Sequence, residues 1–449
     1  MKNSRLSFLR SCVLAIAVLG GGGTAFATTY PVTNYGALCD GVTDDGVAIQ
    51  NAVEAASAAG GRVLFPAGVC VTGSTISVAN TSGVYLEGAG RGVSVLKRAP
   101  GSYSGWAYLV SVSSTTDSGI RDMTLDGNRN LTTGGVQVGL HLSWTLGIVV
   151  SGIELLDHST NAARIYGSSG LTISGSRFVN TTGEAIYIDR YCSDLLVDGN
   201  DFESSVGQGI YHYAGGATTW MSRLTVTRNN FRQSGEAPAI FISWGGVVDS
   251  VISGNLIEGG DIVTYSLGRS SISNNVLKDA AISVREGISL PLVVANNSIE
   301  SSRGYSISLQ GVSGGPEDSI QMTVSGNRIK SNHGGIRMSQ GHNVSIVGNS
   351  ITPISTPFSD YGHGVIASGL KPIQNLLIAN NEIVEMIEAV HVGPYSTYPH
   401  DVDTVLITGN IIHSNAPGAS GVSVVAGPNR QGAMTTNYLV EGNLEVLIP

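Results

Sequence analysis

Charge and aromatic rings are both scarce in this chain of 449 residues: Asp, Glu, Lys and Arg make up 13% and Phe, Trp and Tyr 6%. So few charged residues exclude a long helical bundle or coiled coil, which would need far more Glu, Lys and Arg. Lys and Arg form no cluster, and the net charge is −9. That argues against nucleic acid as a partner and against an anionic membrane surface. No stretch reaches the roughly 18 apolar residues of a membrane span. Only four cysteines occur, without Cys-x-x-Cys or Cys/His spacing, so no zinc site is expected. Disorder is excluded because Val, Ile and Leu recur throughout. Glycine, by contrast, is abundant: 60 residues, about twice the usual share. It is scattered rather than placed at every third position, which excludes collagen. A chain of short strands and tight turns remains.

Residues 1–27 read as an export leader. Lys2, Arg5 and Arg10 form a basic start, Cys12 to Leu19 a short apolar core, and Ala25-Phe26-Ala27 a cleavage site. The mature chain then begins at Thr28, and the expected location is secreted or periplasmic, in a Gram-negative bacterium. Export permits disulfides. Cys39 and Cys70 are close enough in sequence to pair, which leaves Cys192 as a buried or half-buried thiol.

One pattern recurs along the chain: two or three alternating apolar residues, then Gly or Asn, then Asn or Ser. It reads Met-Thr-Leu-Asp-Gly-Asn at 123–128, Leu-Thr-Ile-Ser-Gly-Ser at 171–176 and Leu-Leu-Val-Asp-Gly-Asn at 195–200. It continues through Asn229, Asn255, Asn275, Asn297, Asn327, Asn349, Asn381, Asn410 and Asn443, with Ile153 in the Asn slot of an earlier rung. Slots lie about 20 to 33 residues apart, inside the solenoid range. Each repeat is too short to bury its apolar face alone, so the rungs must stack in parallel at about 4.8 Å. The sequence therefore predicts an all-β fold: a single-stranded right-handed parallel β-helix of about thirteen rungs, roughly 60 Å long. Ile186, Ile188, Ile210, Ile240, Ile242, Ile282, Val284, Ile307, Leu309, Ile336 and Met338 form its inward row.

A solenoid needs its open end covered. Thr43 or Asp44 caps a helix from about Asp45 to Ala59, and residues 28–61 form the N-terminal cap of one domain spanning 28–449. The runs Val32-Thr33-Asn34-Tyr35-Gly36-Ala37, Asp40-Gly41-Val42-Thr43-Asp44-Asp45 and Gly60-Gly61-Arg62-Val63-Leu64-Phe65-Pro66 resemble the N-terminal signature of the pectate-lyase-like superfamily. More narrowly they are similar to the rhamnogalacturonase/epimerase-like pectate lyase domain and to glycoside hydrolase family 28-related proteins. The resemblance covers residues 32–90 and implies a right-handed β-helix acting on polysaccharides. It also implies a monomer or a homotrimer, since related tailspikes are trimers. Asp40, Asp44 and Asp45 then serve caps and turns rather than catalysis. The family's catalytic motifs are missing: Asn180-Thr181-Thr182 lacks the Asp of polygalacturonases, and Arg328-Ile329-Lys330 precedes Gly362-His363-Gly364, the reverse of their order. Leu155-Leu156-Asp157-His158 only echoes the lyase Trp-Ile-Asp-His, and the epimerase Tyr-Gly-Phe-Asp-Pro-His run is absent. Calcium would need clustered oxygen ligands, and no such set assembles, so no cofactor or metal is expected.

Period two assigns the outward side chains of the second strand of each rung. The first outward position carries His141, Arg164, Tyr187, Tyr211, Phe241, Ser283, Ser308, Arg337, Ile366 and His391; the next carries Ser143, Tyr166, Asp189, Tyr213, Ser243, Arg285, Gln310 and Ser339. Trp144, Arg190, Trp244 and Glu286 lie just beyond. The register of 259–268 stays open, with Asp261 and Tyr265 nearby. The scarce aromatics thus gather on one face, which suits the C–H faces of sugar rings. Tyr166, Tyr187, Arg190, Tyr211, Tyr213, Phe241, Trp244, Arg285 and Glu286 are the expected substrate-binding residues. Asp189, Glu236 and Glu184 are the expected catalysts of glycoside hydrolysis. Two rungs put Asp189 and Glu236 about 9.6 Å apart, near the upper end of the inverting separation of about 6.5–9.5 Å. The second possibility is a lyase or C5-epimerase on a uronate polymer, using Tyr211, His212, Tyr213, Arg190 and Arg285. The third is a non-catalytic glycan-binding rod. Connections 214–222, 312–319, 352–363 and 394–403 would wall the groove.

Overall fold

The computed structural model describes residues 28–203, 206–213, 221–232, 237–243, 246–265, 267–285, 291–310, 321–354, 362–368, 372–393, 401–414, 419–425 and 435–447. The leader, Glu236, Trp244, Glu286 and most of the four expected wall segments lie outside the described residues.

Among the described residues, three sheets of 18, 16 and 14 strands run along the molecule, called here the first, second and third, beside one two-stranded pair. Each strand pairs in parallel with its counterpart one rung away, so the chain coils as a parallel β-helix. The predicted inward row is buried throughout. The second strand of each repeat belongs to the third sheet, and its outer face carries the aromatic residues.

The asparagines form one continuous ladder from Asn200 to Asn443. The Oδ1 of Asn275 accepts from the Asn255 backbone N–H at 3.0 Å and its Nδ2 at 2.9 Å. The Nδ2 of Asn275 in turn donates to the Ile252 carbonyl at 3.0 Å. The pattern repeats at each rung, so a buried polar side chain is satisfied wherever it stacks on its like. Upstream, Ser176 and Ile153 take the same slot: the Ser176 N–H donates to Asn200 and the Ile153 N–H to Ser176. The run 123–128 breaks the expected register. Thr124–Asp126 belongs to the second sheet and pairs with Glu154–Leu156, which places Met123, not Asn128, beside Ile153. Asn128 ends that strand at φ 51° and donates to the Arg98 carbonyl at 3.0 Å.

Helix α1 (Gly46–Ala59) closes the N-terminal end with Ile49, Ala52, Val53 and Ala56. It begins one residue later than expected. Asp44 accepts the Gly46 N–H at 2.9 Å, while Asp45 holds the N–H groups of Leu38 and Cys39 at 2.7 and 3.1 Å. Asp40 accepts from Val42 and Thr43, so all three aspartates are turn and cap residues. Cys39 and Cys70 form a disulfide that ties the cap to the first rungs. Cys192 is a buried thiol, which burial pushes up to about 11.

Candidate active site on the third sheet

The strands of the third sheet are short and in strict register, so like positions meet rung after rung. His141, Arg164, Tyr187, Tyr211, Phe241, Val263 and Ser283 form one outward column. This resolves the open register: Val263 takes the column and Tyr265 follows at the next outward place. Asp261 accepts the Ala281 N–H at 2.8 Å and ties two rungs together.

Ring contacts make the column a platform. Tyr187 and Tyr211 lie 5.2 Å apart, Tyr211 and Phe241 5.3 Å, and Phe241 and Tyr265 5.7 Å between centroids. Tyr213, one residue past the strand that carries Tyr211, stacks on it at 6.3 Å. Arg285 donates to the Tyr265 hydroxyl at 3.1 Å. Tyr166 departs from this platform and instead meets Trp144 and Tyr191 at the edge of the sheet.

At the other end of the platform is a caged cation. The Arg164 guanidinium lies 4.4 Å from the Trp106 ring centroid and 4.7 Å from that of Tyr187. Its Nη2 donates to Asp189 Oδ2 at 2.8 Å. The Arg190 backbone N–H donates to Asp189 Oδ1 at 2.9 Å. Asp189 is therefore not the open carboxylate that alternation implied: it is 5% exposed, with both oxygens engaged. Period two assigned the face correctly, but neighbouring long side chains fold over the short one. Glu184 is half-buried and accepts from Asn161 Nδ2 at 2.5 Å.

His141 stands one rung before Arg164. Its ring stacks on Tyr108 at 4.1 Å and 8°, and its Nδ1 lies 3.4 Å from Ser111 Oγ. Burial, then the Arg164 charge, holds it down at about 4, so it is a neutral imidazole near pH 7. Burial and the Asp189 charge push the Tyr187 phenol above its ordinary value, against the opposing pull of Arg164. Three consecutive rungs thus present a neutral base, a fixed cation and a neutral phenol.

His212 is removed from this face. It sits opposite Ile188 and Ile242 in the inward column, buried, and among the described residues neither ring nitrogen has a hydrogen-bond partner. Burial lowers it to about 4. His158, the echo of the lyase motif, is also structural. Its Nε2 lies 3.1 Å from the Leu125 carbonyl oxygen, and its ring fills the space where Cβ atoms on Gly127 and Gly139 would sit. A further polar group lies towards the other end of the sheet, where Glu388 binds His363 at 3.0 Å and His391 at 2.8 Å. Burial opposes its charge, but the two histidines outweigh it and lower the Glu388 carboxyl. Among the described residues the one cluster of potential metal-ligand atoms is Cys39, Asp45 and Cys70, whose sulfurs are already joined to each other.

Trp106, Tyr108 and Tyr191 escaped the sequence reading. The first two precede the clear Gly-x-Ile-x-Ile repeats, although Trp-x-Tyr at 106–108 is itself an alternating aromatic signal. Tyr191 lies past the strand, where period two no longer applies.

Residues 30–138 match the family model of rhamnogalacturonase A/epimerase, pectate lyase-like, and residues 215–383 that of the right-handed β-helix region. A 199-residue stretch is 35% identical to mannuronan C5-epimerase AlgE4 of Azotobacter vinelandii, covering 39% of this chain and 34% of that protein. Another, of 116 residues, is 40% identical to alginate lyase 7 of the same organism, covering 24% of this chain and 14% of that protein. The match thus spans about a third or less of these curated relatives. Among solved structures, ORF18 of Geobacillus virus E2 is similar with a TM-score of 0.51 at 18% identity, over 67% of this chain and 57% of that one. At that identity the likeness concerns the fold.

Proposed function

Since the chain belongs to the pectate-lyase-like superfamily, we propose that it is an exported enzyme that removes the C5 proton of a uronate polymer, as an epimerase or a lyase. The observation that carries this is Arg164, held between Trp106 and Tyr187 with neutral His141 on the preceding rung. A proton next to a carboxylate leaves only if the charge that develops on the carboxylate is stabilised. A fixed cation in a partly desolvated site supplies that. His141 takes the C5 proton, and the electron pair moves onto the carboxylate, facing Arg164. Return of a proton from Tyr187 to the opposite face gives the C5 epimer. Expulsion of the C4 oxygen, which takes the Tyr187 proton as its bond to C4 breaks, gives an unsaturated end and a shortened chain. Asp189 positions the guanidinium rather than acting on the sugar. The likeness to a mannuronan C5-epimerase and an alginate lyase supports this reading over hydrolysis, as does the engagement of both Asp189 oxygens. Tyr211, Phe241 and Tyr265 then carry neighbouring sugar rings, and Arg285 a neighbouring carboxylate.

The test is incubation of the mature protein with polymannuronate and with polygalacturonate in deuterated water. Deuterium at C5 with inverted configuration marks an epimerase, and ultraviolet-absorbing ends mark a lyase. New reducing ends without either would establish hydrolysis and overturn the proposal.

A further inference from the structure

At the corner where the chain leaves the third sheet, Asn80, Ser114, Trp144, Gly167 and Tyr191 hold equivalent places. The N–H of each of the first four donates to the adjacent rung: to Ser113, Ser143, Tyr166 and Arg190 respectively. All five adopt left-handed backbone, with φ of 52°, 47°, 53°, 57° and 64°. Asn and Gly accept that conformation readily. A bulky aromatic residue there is an outlier, yet two of the five are aromatic. Both are also half in solvent, Trp144 at 56% and Tyr191 at 49% exposure, so core packing does not explain them.

Their rings converge. Trp144 and Tyr191 lie 6.0 Å apart at 22°, and Tyr166 stands perpendicular to both, at 5.1 and 6.0 Å. Gly167 makes this possible: a Cβ on it would come within 2.7 Å of Trp144 Cε3. The stack is continuous with the active site, because Asp189, Arg190 and Tyr191 are consecutive and Asp189 holds Arg164. Left-handed backbone at an exposed place that neighbouring rungs fill with the small residues Asn80, Ser114 and Gly167, together with rings that converge there, points to a ligand.

We propose that Trp144 and Tyr191 form an outer subsite that takes the C–H face of one pyranose ring of the polysaccharide. Rings 6.0 Å apart leave no room for a sugar between them, so it lies on their exposed side. Tyr166 and Arg190 are the polar groups within reach of its hydroxyls. The inference rests on the polysaccharide reading above but not on the C5 chemistry.

Trp144→Asn and Tyr191→Asn test it, since Asn80 shows that Asn fits this corner. Affinity would be measured for polymannuronate, polygalacturonate and a neutral galactomannan, and turnover on whichever is converted. Both variants are expected to melt at or above the wild-type temperature. They should bind the preferred polymer roughly five- to tenfold more weakly, the scale of one aromatic stacking contact, with kcat unchanged. Unchanged affinity in both variants overturns the subsite, whether or not stability falls. If the wild type converts no uronate but binds the neutral polymer through these residues, the subsite stands and the C5 proposal falls. If it binds none of the three, the subsite falls as well.

Discussion

Two faces of the same coil handle charge in opposite ways. On the second sheet, charges of alternating sign stack rung by rung. Arg177 bridges Glu154 at 2.9 Å and Glu203 at 2.7 Å, Arg232 reaches Glu203 at 3.5 Å, and Lys278 reaches Glu258 at 3.1 Å. These cations are 40%, 55% and 58% exposed, so water screens each pair. On the third sheet the Arg164 side chain is 20% exposed and that of its partner Asp189 only 7%. The rung spacing is the same; the aromatic cover differs. In water the alternation mainly disfavours a slipped register, because a slip would separate the opposite charges. Beneath the rings the cation is poorly solvated, and its field remains available to an anion.

Breaking the caged cation should have the largest effect. Arg164→Gln is expected to lower turnover on the preferred uronate about 10²–10³-fold. It should also destabilise the fold by about 3 kcal/mol, since buried Asp189 would keep only Arg190 as a charged partner. Adding Asp189→Asn should restore much of the stability in urea denaturation but none of the turnover. If Arg164→Gln costs no more than a variant on the second sheet, the contrast between the faces is wrong.

Next comes a neutral ladder. Asn275→Ala strands the Asn255 N–H and the Ile252 carbonyl, and should cost about 3 kcal/mol by chemical denaturation. The inward column offers the opposite sign. His212→Leu removes a buried imidazole that has no hydrogen-bond partner among the described residues, and should stabilise by about 1–2 kcal/mol. It should also change acid sensitivity. His212 titrates at about 4 in the fold and near 6.5 when unfolded, so the unfolded chain binds the proton first. Stability is therefore full above about pH 6.5 and falls towards pH 4. The fall in urea midpoint between pH 7 and pH 5 should be shallower in His212→Leu. The smallest effect belongs to the screened face: Arg177→Ala should change stability by less than about 1 kcal/mol.

Much of this architecture was readable in the chain. The Asn slots from 200 to 443 and the inward Ile rows follow from periodicity, because a residue buried in one rung imposes its like on the next. The second reading of that period, which faces outward, was equally secure for Tyr187, Tyr211 and Phe241. It failed for the state of Asp189, since alternation assigns a direction and not what folds over the side chain. It also failed where strands end: Asn128 resembled a ladder residue but closes a strand of another sheet, and Tyr191 falls past the last alternating position.

By itself, then, the sequence determined the coil, its cap, the Cys39–Cys70 pairing as one available closure, and the gathering of scarce rings on one face. These depend on local period and on like stacking with like. The tertiary structure alone decided which of those outward groups are free, which cation is caged, and that His141, Arg164 and Tyr187 share one column. Such facts depend on side chains from rungs more than twenty residues apart meeting across the coil, and no local pattern encodes how their long ends settle against one another.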